Sequence, residues 1–326
     1  MPETNAVIPL HQSTETQFEE PRRFKVFTAR QLDKIEPLKR LDDETRFAME
    51  VVANVLPFRV NEYVIDELID WDKVPNDPIY QLTFPQKGML APEHFDKVAE
   101  AMRGGDKAEI KAAIAEVRDA LNPHPAGQME HNMPEVDGEK IDGVQHKYNE
   151  TVLFFPSQGQ VCHSYCTFCF RWAQFIGDND LKIATKEAGQ LKRYVQAHPE
   201  ITDILITGGD PLVMKTKNLR AHIEPLLELE QIRTIRIGSK ALTFWPQRVV
   251  SDDDAQDLLD LFREVQASGK HLALMAHYNH WQELETDIAR EAVRRVRATG
   301  AVIRAQGPLL AHINDNADDW ARLWQT

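Results

Sequence analysis

Residues 161–172 read VCHSYCTFCFRW, and the cysteines in that stretch, Cys162, Cys166 and Cys169, are the three that the chain has. Their spacing is C-x3-C-x2-C. A disulfide framework spreads an even number of cysteines along a short secreted chain, whereas thiols gathered at one point signal metal binding or redox chemistry. Three thiolates on one short loop reach three corners of an iron–sulfur cube and leave the fourth iron without a protein ligand, an open position where a substrate can coordinate. Electron carriers of the ferredoxin type supply four cysteines per cluster instead. Two other readings stand beside this one. A zinc site wants four nitrogen or sulfur ligands, with His163 as the missing one, but adjacent Cys162 and His163 would then wrap a single ion within a cramped loop. A thioredoxin-like pair would use Cys166 and Cys169 as C-x-x-C and leave Cys162 without a role.

Working outward, the loop follows directly on an apolar run, TVLFFP (151–156). Four more such runs follow: DILIT (203–207), TIRIG (234–238), HLALMA (271–276) and AVIRA (301–305). Amphipathic stretches at 184–198, 216–229, 252–268 and 284–299 separate them. The alternation predicts an α/β fold with a parallel sheet and helices outside it, and it fits an open doubly wound sheet as well as a barrel. After each run comes a polar cluster: the cysteine loop, GGDPL (208–212), Ser239-Lys240, then His277, Asn279 and His280, and finally Gln306 and Asp315. Those are the strand carboxyl ends, where β/α folds place their active sites. Gly208-Gly209 reads as a turn, or as room for a ligand ammonium to approach backbone carbonyls, with Asp210 adding charge. A last helix is expected from near Asn316, with Trp320 and Trp324 one turn apart. They either pack on the adjoining sheet or mark a chain that is incomplete at its C-terminus.

Upstream the pattern is mainly helical. Asp42 or Asp43 is a cap for a helix through Leu56 that buries Phe47, Val51, Val52 and Leu56. Two more helices are expected at 93–103 and 106–121, broken by Gly104-Gly105, followed by a Pro/Gly/His-rich connector at 122–142. The domain reading is a flexible arm (1–27), a helical N-terminal region (28–145) and the β/α region (146–326). The 326 residues carry a net charge of −13, which excludes a phosphate-tracking surface and makes nucleic acid a poor partner. The start of the chain is polar and acidic, and no apolar run approaches the roughly 20 residues that span a bilayer. A cytoplasmic protein without a membrane partner is the expectation.

Taken in order, HKYNETVLFF, CHSYCTFCFR, ILITGGDPL, RIGSKALTFWPQR, AHYNHW and AQGPLLAHIND resemble the radical S-adenosylmethionine (SAM) superfamily, and within it the lysine 2,3-aminomutase family. The resemblance covers about 145–316, with Phe168 as the aromatic residue of the cysteine motif. It implies a partial (β/α) barrel preceded by the helical region, with an open side completed by a partner subunit or a second copy as a homo-oligomer. It implies that Cys162, Cys166 and Cys169 ligate a [4Fe–4S] cluster and that SAM chelates the fourth iron. One electron, from a donor such as a flavodoxin or ferredoxin, then cleaves SAM to methionine and a 5′-deoxyadenosyl radical that takes a hydrogen from the substrate. By motif position Phe168 lies near the adenine, Gly208, Gly209 and Asp210 hold the methionine amino group, and Ser239, Asn279 and Gln306 lie near SAM. Arg171 matches an arginine that pairs with an amino-acid carboxylate. Asp315 matches an aspartate that holds a lysine ammonium, and it also reads as a helix cap.

The departures bear on the reaction. The aminomutases, which are isomerases, also use pyridoxal phosphate (PLP) on a lysine in a Gly-rich segment, and no such segment is present. An arginine expected near the PLP phosphate is Thr151, and Val293 stands where some members have a zinc-binding cysteine. After Cys169, Phe170 and Trp172 flank Arg171 in place of a basic run. The expected activity is therefore a radical SAM, aminomutase-like reaction on an amino-acid-like small molecule. The alternatives are a PLP-independent radical reaction or a non-catalytic iron–sulfur or zinc module.

Overall fold

The computed structural model describes residues 22–122, 127–177, 182–186 and 188–326. Its centre is a sheet of six strands in the order β10-β9-β8-β7-β6-β5. These are β5 (Val144–Tyr148), β6 (Thr151–Phe154), β7 (Asp203–Ile206), β8 (Thr234–Ser239), β9 (His271–His277) and β10 (Val302–Gln306). From β6 to β10 every neighbouring pair is parallel, and only the β5–β6 hairpin is antiparallel. Strands thus follow one another in space as in sequence. A doubly wound sheet reverses its strand order at a switch point, and no reversal occurs here.

Crossovers in parallel sheets are right-handed, so a sequential order sends all the connecting helices to one face. These are α6 (Ala188–Ala197), α7 (Thr216–Leu227), α10 (Ala255–Ala267) and α11 (Asp287–Ala298). The rows Val152–Ile204–Ile235–Leu272 and Phe154–Ile206–Ile237–Leu274 face that layer. All eight side chains are essentially fully buried, in one core with Leu191, Ile223, Phe262 and Val296 from the four helices. Burying an aliphatic or phenyl side chain of this kind contributes roughly 1.5–3 kcal/mol. On the other face Leu153, Leu205, Arg236 and Met275 are only partly covered and Arg304 is exposed. There Arg236 pairs with Asp203, whose carboxylate also accepts from the Thr151 hydroxyl at 3.0 Å.

The upstream region folds largely as its caps and periodicity suggest. Helix α1 (Asp43–Val55) starts at Asp42, whose carboxylate accepts from the Thr45 N–H at 2.8 Å. Val51 and Val52 are fully buried and Phe47 and Leu56 partly so, against α3 (Pro92–Gly104) and α4 (Lys107–Ala120). Gly105 takes φ +76 to end α3, and Asp106 caps α4. Sequence periodicity missed the short β1 (Val26–Thr28), β2 (Arg59–Asn61) and α2 (Pro78–Thr83). A second core, with Phe27, Tyr63, Tyr80 and Phe84, joins these pieces to Phe244, Trp245 and Ile313 of the β/α region. The expected arm, 1–27, lies outside the described residues up to position 21. From Arg22 onward it is held, by Arg22 pairing with Asp66 and Glu67 and by the β1–β2 ladder.

The connector, described except for 123–126, forms the single turn α5 (Gln128–His131) and the small hairpin β3 (Glu135–Val136) and β4 (Glu139–Lys140). After β8 the chain makes two short turns, α8 (Ala241–Phe244) and α9 (Gln247–Val250), before α10. The last helix, α12 (Ala317–Gln325), is capped by Asn316, which accepts from the Asp319 N–H at 2.9 Å, so Asp315 is not its cap. Trp320 packs on the main core while Trp324 stays 67% exposed, the two rings stacked 6.1 Å apart. Among the described residues no helix is long and apolar enough to cross a membrane.

Candidate cofactor site at the strand carboxyl ends

The cysteine loop is braced from two directions. On one side β2 and α2 of the N-terminal region lie against it. The Tyr165 N–H donates to the Arg59 carbonyl at 2.8 Å, and the Thr167 N–H donates to the Leu82 carbonyl at 2.9 Å. Arg59 Nε donates to the Cys162 carbonyl at 2.8 Å. Asn61, fully buried, donates through Nδ2 to the carbonyls of Phe244 (2.7 Å) and His163 (3.3 Å), while its N–H donates to the Ser164 hydroxyl at 3.0 Å. One asparagine thereby ties β2, the cysteine loop and the turn after β8 together.

On the other side stands the GGDPL turn. The Asp210 N–H donates to the Val161 carbonyl at 2.8 Å, and the Gly209 N–H donates to the Gly159 carbonyl at 3.1 Å. Gly208 has φ +140, which favours glycine. A Cβ on Gly209 would lie 2.6 Å from the carbonyl carbon and oxygen of Val161, the residue before Cys162. The space that the missing side chain leaves is taken by the cysteine loop's own backbone. Gly209→Ala is accordingly expected to push that loop away, costing about 1–3 kcal/mol as overpacking does. Thermal unfolding and metal uptake of the variant test this; an unchanged melt would show that the turn has slack.

Asp210 is the hub. Its buried carboxylate accepts from the Ser239 hydroxyl and the Lys240 N–H, both at 2.8 Å, and from the Leu212 N–H at 2.9 Å. His163 Nδ1 lies 3.5 Å away, too long for a good hydrogen bond. Burial pushes the Asp210 pKa up, but His163, the Lys240 N–H and the Ser239 hydroxyl together hold it below the usual carboxylate value. From there the network continues through Lys240, whose ammonium donates to the His277 carbonyl (3.1 Å), to Asn279 Oδ1 (2.9 Å) and to Glu283. Glu283, 0% exposed, also accepts from the Asn279 N–H at 2.6 Å, and Asn314 Nδ2 reaches the Asn279 carbonyl at 2.8 Å. Loops from β6, β7, β8 and β9 and the segment after β10 are thus linked in one polar chain. Within it Asn279 Nδ2 is buried with no partner among the described residues, and a donor left that way costs about 1–3 kcal/mol unless a ligand satisfies it.

The thiols are free, partly covered and apart from any disulfide. Burial pushes Cys166 up to about 12 against the pull of Lys240, and raises Cys162 and Cys169 as well. Among the described residues no three Cys, His, Asp or Glu side chains gather closely enough for one metal ion. His163 is turned to Asp210 and to the Phe24 ring.

The remaining expected residues divide. Ser239 and Asn279 join the network. Phe168 points toward the helical region, lining with Cys166 and Cys169 a cavity of about 270 Å³ that includes Leu56, Phe58 and Met89. Arg171 lies over the Phe155 ring at 4.2 Å with no carboxylate partner among the described residues; burial pulls its pKa down to about 10, against the Cys169 and Cys162 thiolates. Gln306 holds the Tyr278 N–H through its backbone carbonyl (2.9 Å), and its side chain is exposed. Asp315 is exposed, with no ion pair among the described residues, next to the network residue Asn314. Arg59, Asn61, Glu283 and Asn314 were not anticipated from the sequence. A buried glutamate three residues after His280 offered no periodic signal, and β2 lies about a hundred residues from the loop that it braces.

Comparison with known proteins bears on this arrangement. No family model matches the chain. A putative L-lysine 2,3-aminomutase of Aquifex aeolicus is 34% identical over 279 residues, 86% of this chain and 63% of that protein. The chain is similar to the lysine 2,3-aminomutase-like family over most of its length. The L-lysine 2,3-aminomutases of Clostridium subterminale and Methanococcus maripaludis are 24% and 23% identical over 90% and 84% of this chain. The chain spans 58% and 53% of their lengths. Within this family frame the carboxyl-end network is the candidate site; the departures around Arg171 lie in its cysteine loop, whereas Thr151 lies at the amino end of β6 beside Asp203 and Arg236.

Proposed function

We propose that this chain is a radical SAM enzyme with aminomutase-like chemistry on an amino-acid-like small molecule. The observation that carries the proposal is the junction of three free thiols with the Asp210–Lys240–Asn279 network at one end of a sequentially ordered parallel sheet. In this reading the sheet is a partial barrel. Residues 146–326 carry the site, and residues 28–145 brace it through β2 and α2.

The donor chemistry fits the two groups that the family implies. Cys162, Cys166 and Cys169 would hold a [4Fe–4S] cluster, and the orphaned Asn279 amide, beside Ser239 and the glycine turn, would meet SAM. When bound, the two would supply a 5′-deoxyadenosyl radical by one-electron cleavage of SAM, the hard step of the chemistry. The chain's own residues then have distinct tasks. Asp210 holds the β7 and β8 loops in register and keeps its charge compensated. Gly208 and Gly209 set the turn against the cysteine loop. Lys240 and Glu283 neutralise each other and fix Asn279. Phe168 closes the loop against the helical region. Arg171, with no carboxylate partner among the described residues, suits a substrate carboxylate, and Asp315 and Gln306 are the outer groups available to a substrate or to SAM.

PLP fits the described residues poorly. Lys240 is clamped by Glu283 and Asn279, and Lys270 by the carbonyls of Leu229 and Ile232. On the open face, Asp203 already neutralises Arg236 beside Thr151. No step is assigned to PLP. A cytoplasmic setting and a reducing partner protein belong to the same proposal.

The test is electron paramagnetic resonance of the anaerobically reconstituted, reduced protein. Adding SAM is expected to change the cluster signal, because SAM would occupy the open iron. A cluster signal indifferent to SAM would favour the non-catalytic module.

A further inference from the structure

We infer that Arg59 is a positioning residue for the iron–sulfur cluster: it clamps the Cys162 limb of the loop and places a positive charge that favours the reduced state. The inference rests on the cluster assignment proposed above and concerns a residue outside the cysteine motif, on a strand of the N-terminal region.

Three observations carry it. The first is geometry. β2 runs alongside residues 162–165, with Arg59 contributing both its carbonyl to the Tyr165 N–H and its Nε to the Cys162 carbonyl, each at 2.8 Å. Asn61, two residues on, repeats the pattern on Ser164 and His163. The cysteine loop is therefore laid down on β2, and Arg59 grips the residue that bears the first ligand.

The second is charge. The nearby Arg22 pairs with Asp66 and Glu67, but Arg59 has no carboxylate partner among the described residues. It is half-buried, with the Phe24 ring 6.0 Å from its guanidinium, and Asp252, Asp253 and Asp254 line the same cavity without forming an ion pair with it among the described residues. A guanidinium withdrawn from water without a counter-charge is costly. A thiolate-ligated cluster beside Cys162 is the anion that would balance it.

The third is direction. Reducing the cluster adds one negative charge, and cluster potentials respond to net charge and hydrogen bonding around the sulfurs. A fixed cation at this place stabilises the reduced form more than the oxidised one. A purely structural staple would hold the loop and leave the potential where it was.

The experiment reconstitutes the full-length wild type, Arg59→Gln and Arg59→Lys anaerobically. Iron and sulfide are counted, each cluster is titrated by spectroelectrochemistry without SAM, and iron loss to a chelator is timed. The glutamine variant keeps a donor but loses the charge. Its reduced fraction at a fixed donor potential is expected to fall about tenfold, equivalent to about 59 mV for one electron. The lysine variant keeps the charge but not the fork, so its potential should stay near that of the wild type while its iron is lost several-fold faster. A glutamine variant that loads fully and titrates like the wild type overturns the inference. If neither variant loads iron, Arg59 is a folding residue and the inference also fails. A wild type that takes up no cluster would refute the cluster assignment itself, and this is seen before any variant is compared.

Discussion

Cys166→Ala is expected to abolish both cluster loading and SAM cleavage. Cys166 lies at the centre of the motif, and its thiol faces the region where the Lys240, Glu283 and Asp210 charges are felt. With one of three protein ligands gone, two irons of a cube would lack a thiolate, one more than the open site requires. Removing outer partners of metal ligands typically costs 10–100-fold, so loss of a ligand should exceed a hundredfold in SAM cleavage. The apo fold should survive, because Cys166 packs at the margin of an apolar cluster where alanine is tolerated. Iron and sulfide counts per chain, with a thermal melt as control, decide the matter. Wild-type iron content in the variant would move the cluster elsewhere.

The second large effect is expected from Lys240→Met. Lys240 is 9% exposed and Glu283 is 0% exposed, and the two form a buried ion pair. Removing one partner of such a pair leaves an uncompensated charge and costs about 3–5 kcal/mol. For a chain of this general size that corresponds to a fall in Tm on the order of 10 °C. The cost should be shared by Asn279, whose Oδ1 accepts from Lys240 and whose N–H donates to Glu283. Adding Glu283→Gln to Lys240→Met should restore part of the loss, since the stranded carboxylate is then neutral. Thermal unfolding of the two single variants and the double variant measures this. Additive losses in the double variant would mean that the two charges do not depend on each other.

Much of the β/α region was legible because its strands are short apolar runs between amphipathic helices, and all five were placed within one or two residues. The first helix cap, expected at Asp42 or Asp43 and found at Asp42, was legible for the same local reason, a short polar side chain one step before a periodic helix. Strand order was not, since periodicity says which face is buried and nothing about which strand lies alongside. Strand β5 was missed because VQHKY neither alternates nor stays apolar, and α8 and α9 are too short to show a period. The glycine turn carried a ligand reading, and the geometry gives those glycines a nearer purpose in the Val161 backbone that presses on them. Arg59 and Asn61 act across about a hundred residues of sequence. Long-range hydrogen bonds of that kind leave no mark in a single sequence, and the hub at Asp210 depends on several of them.

The most direct measurement is 5′-deoxyadenosine formed from SAM and dithionite by the reconstituted full-length chain, with Cys166→Ala beside it. Cluster-dependent formation in the wild type and none in the variant is the expected result. A wild type that loads iron and sulfide yet releases no 5′-deoxyadenosine would contradict the radical SAM assignment and leave the cysteine loop as a binding module.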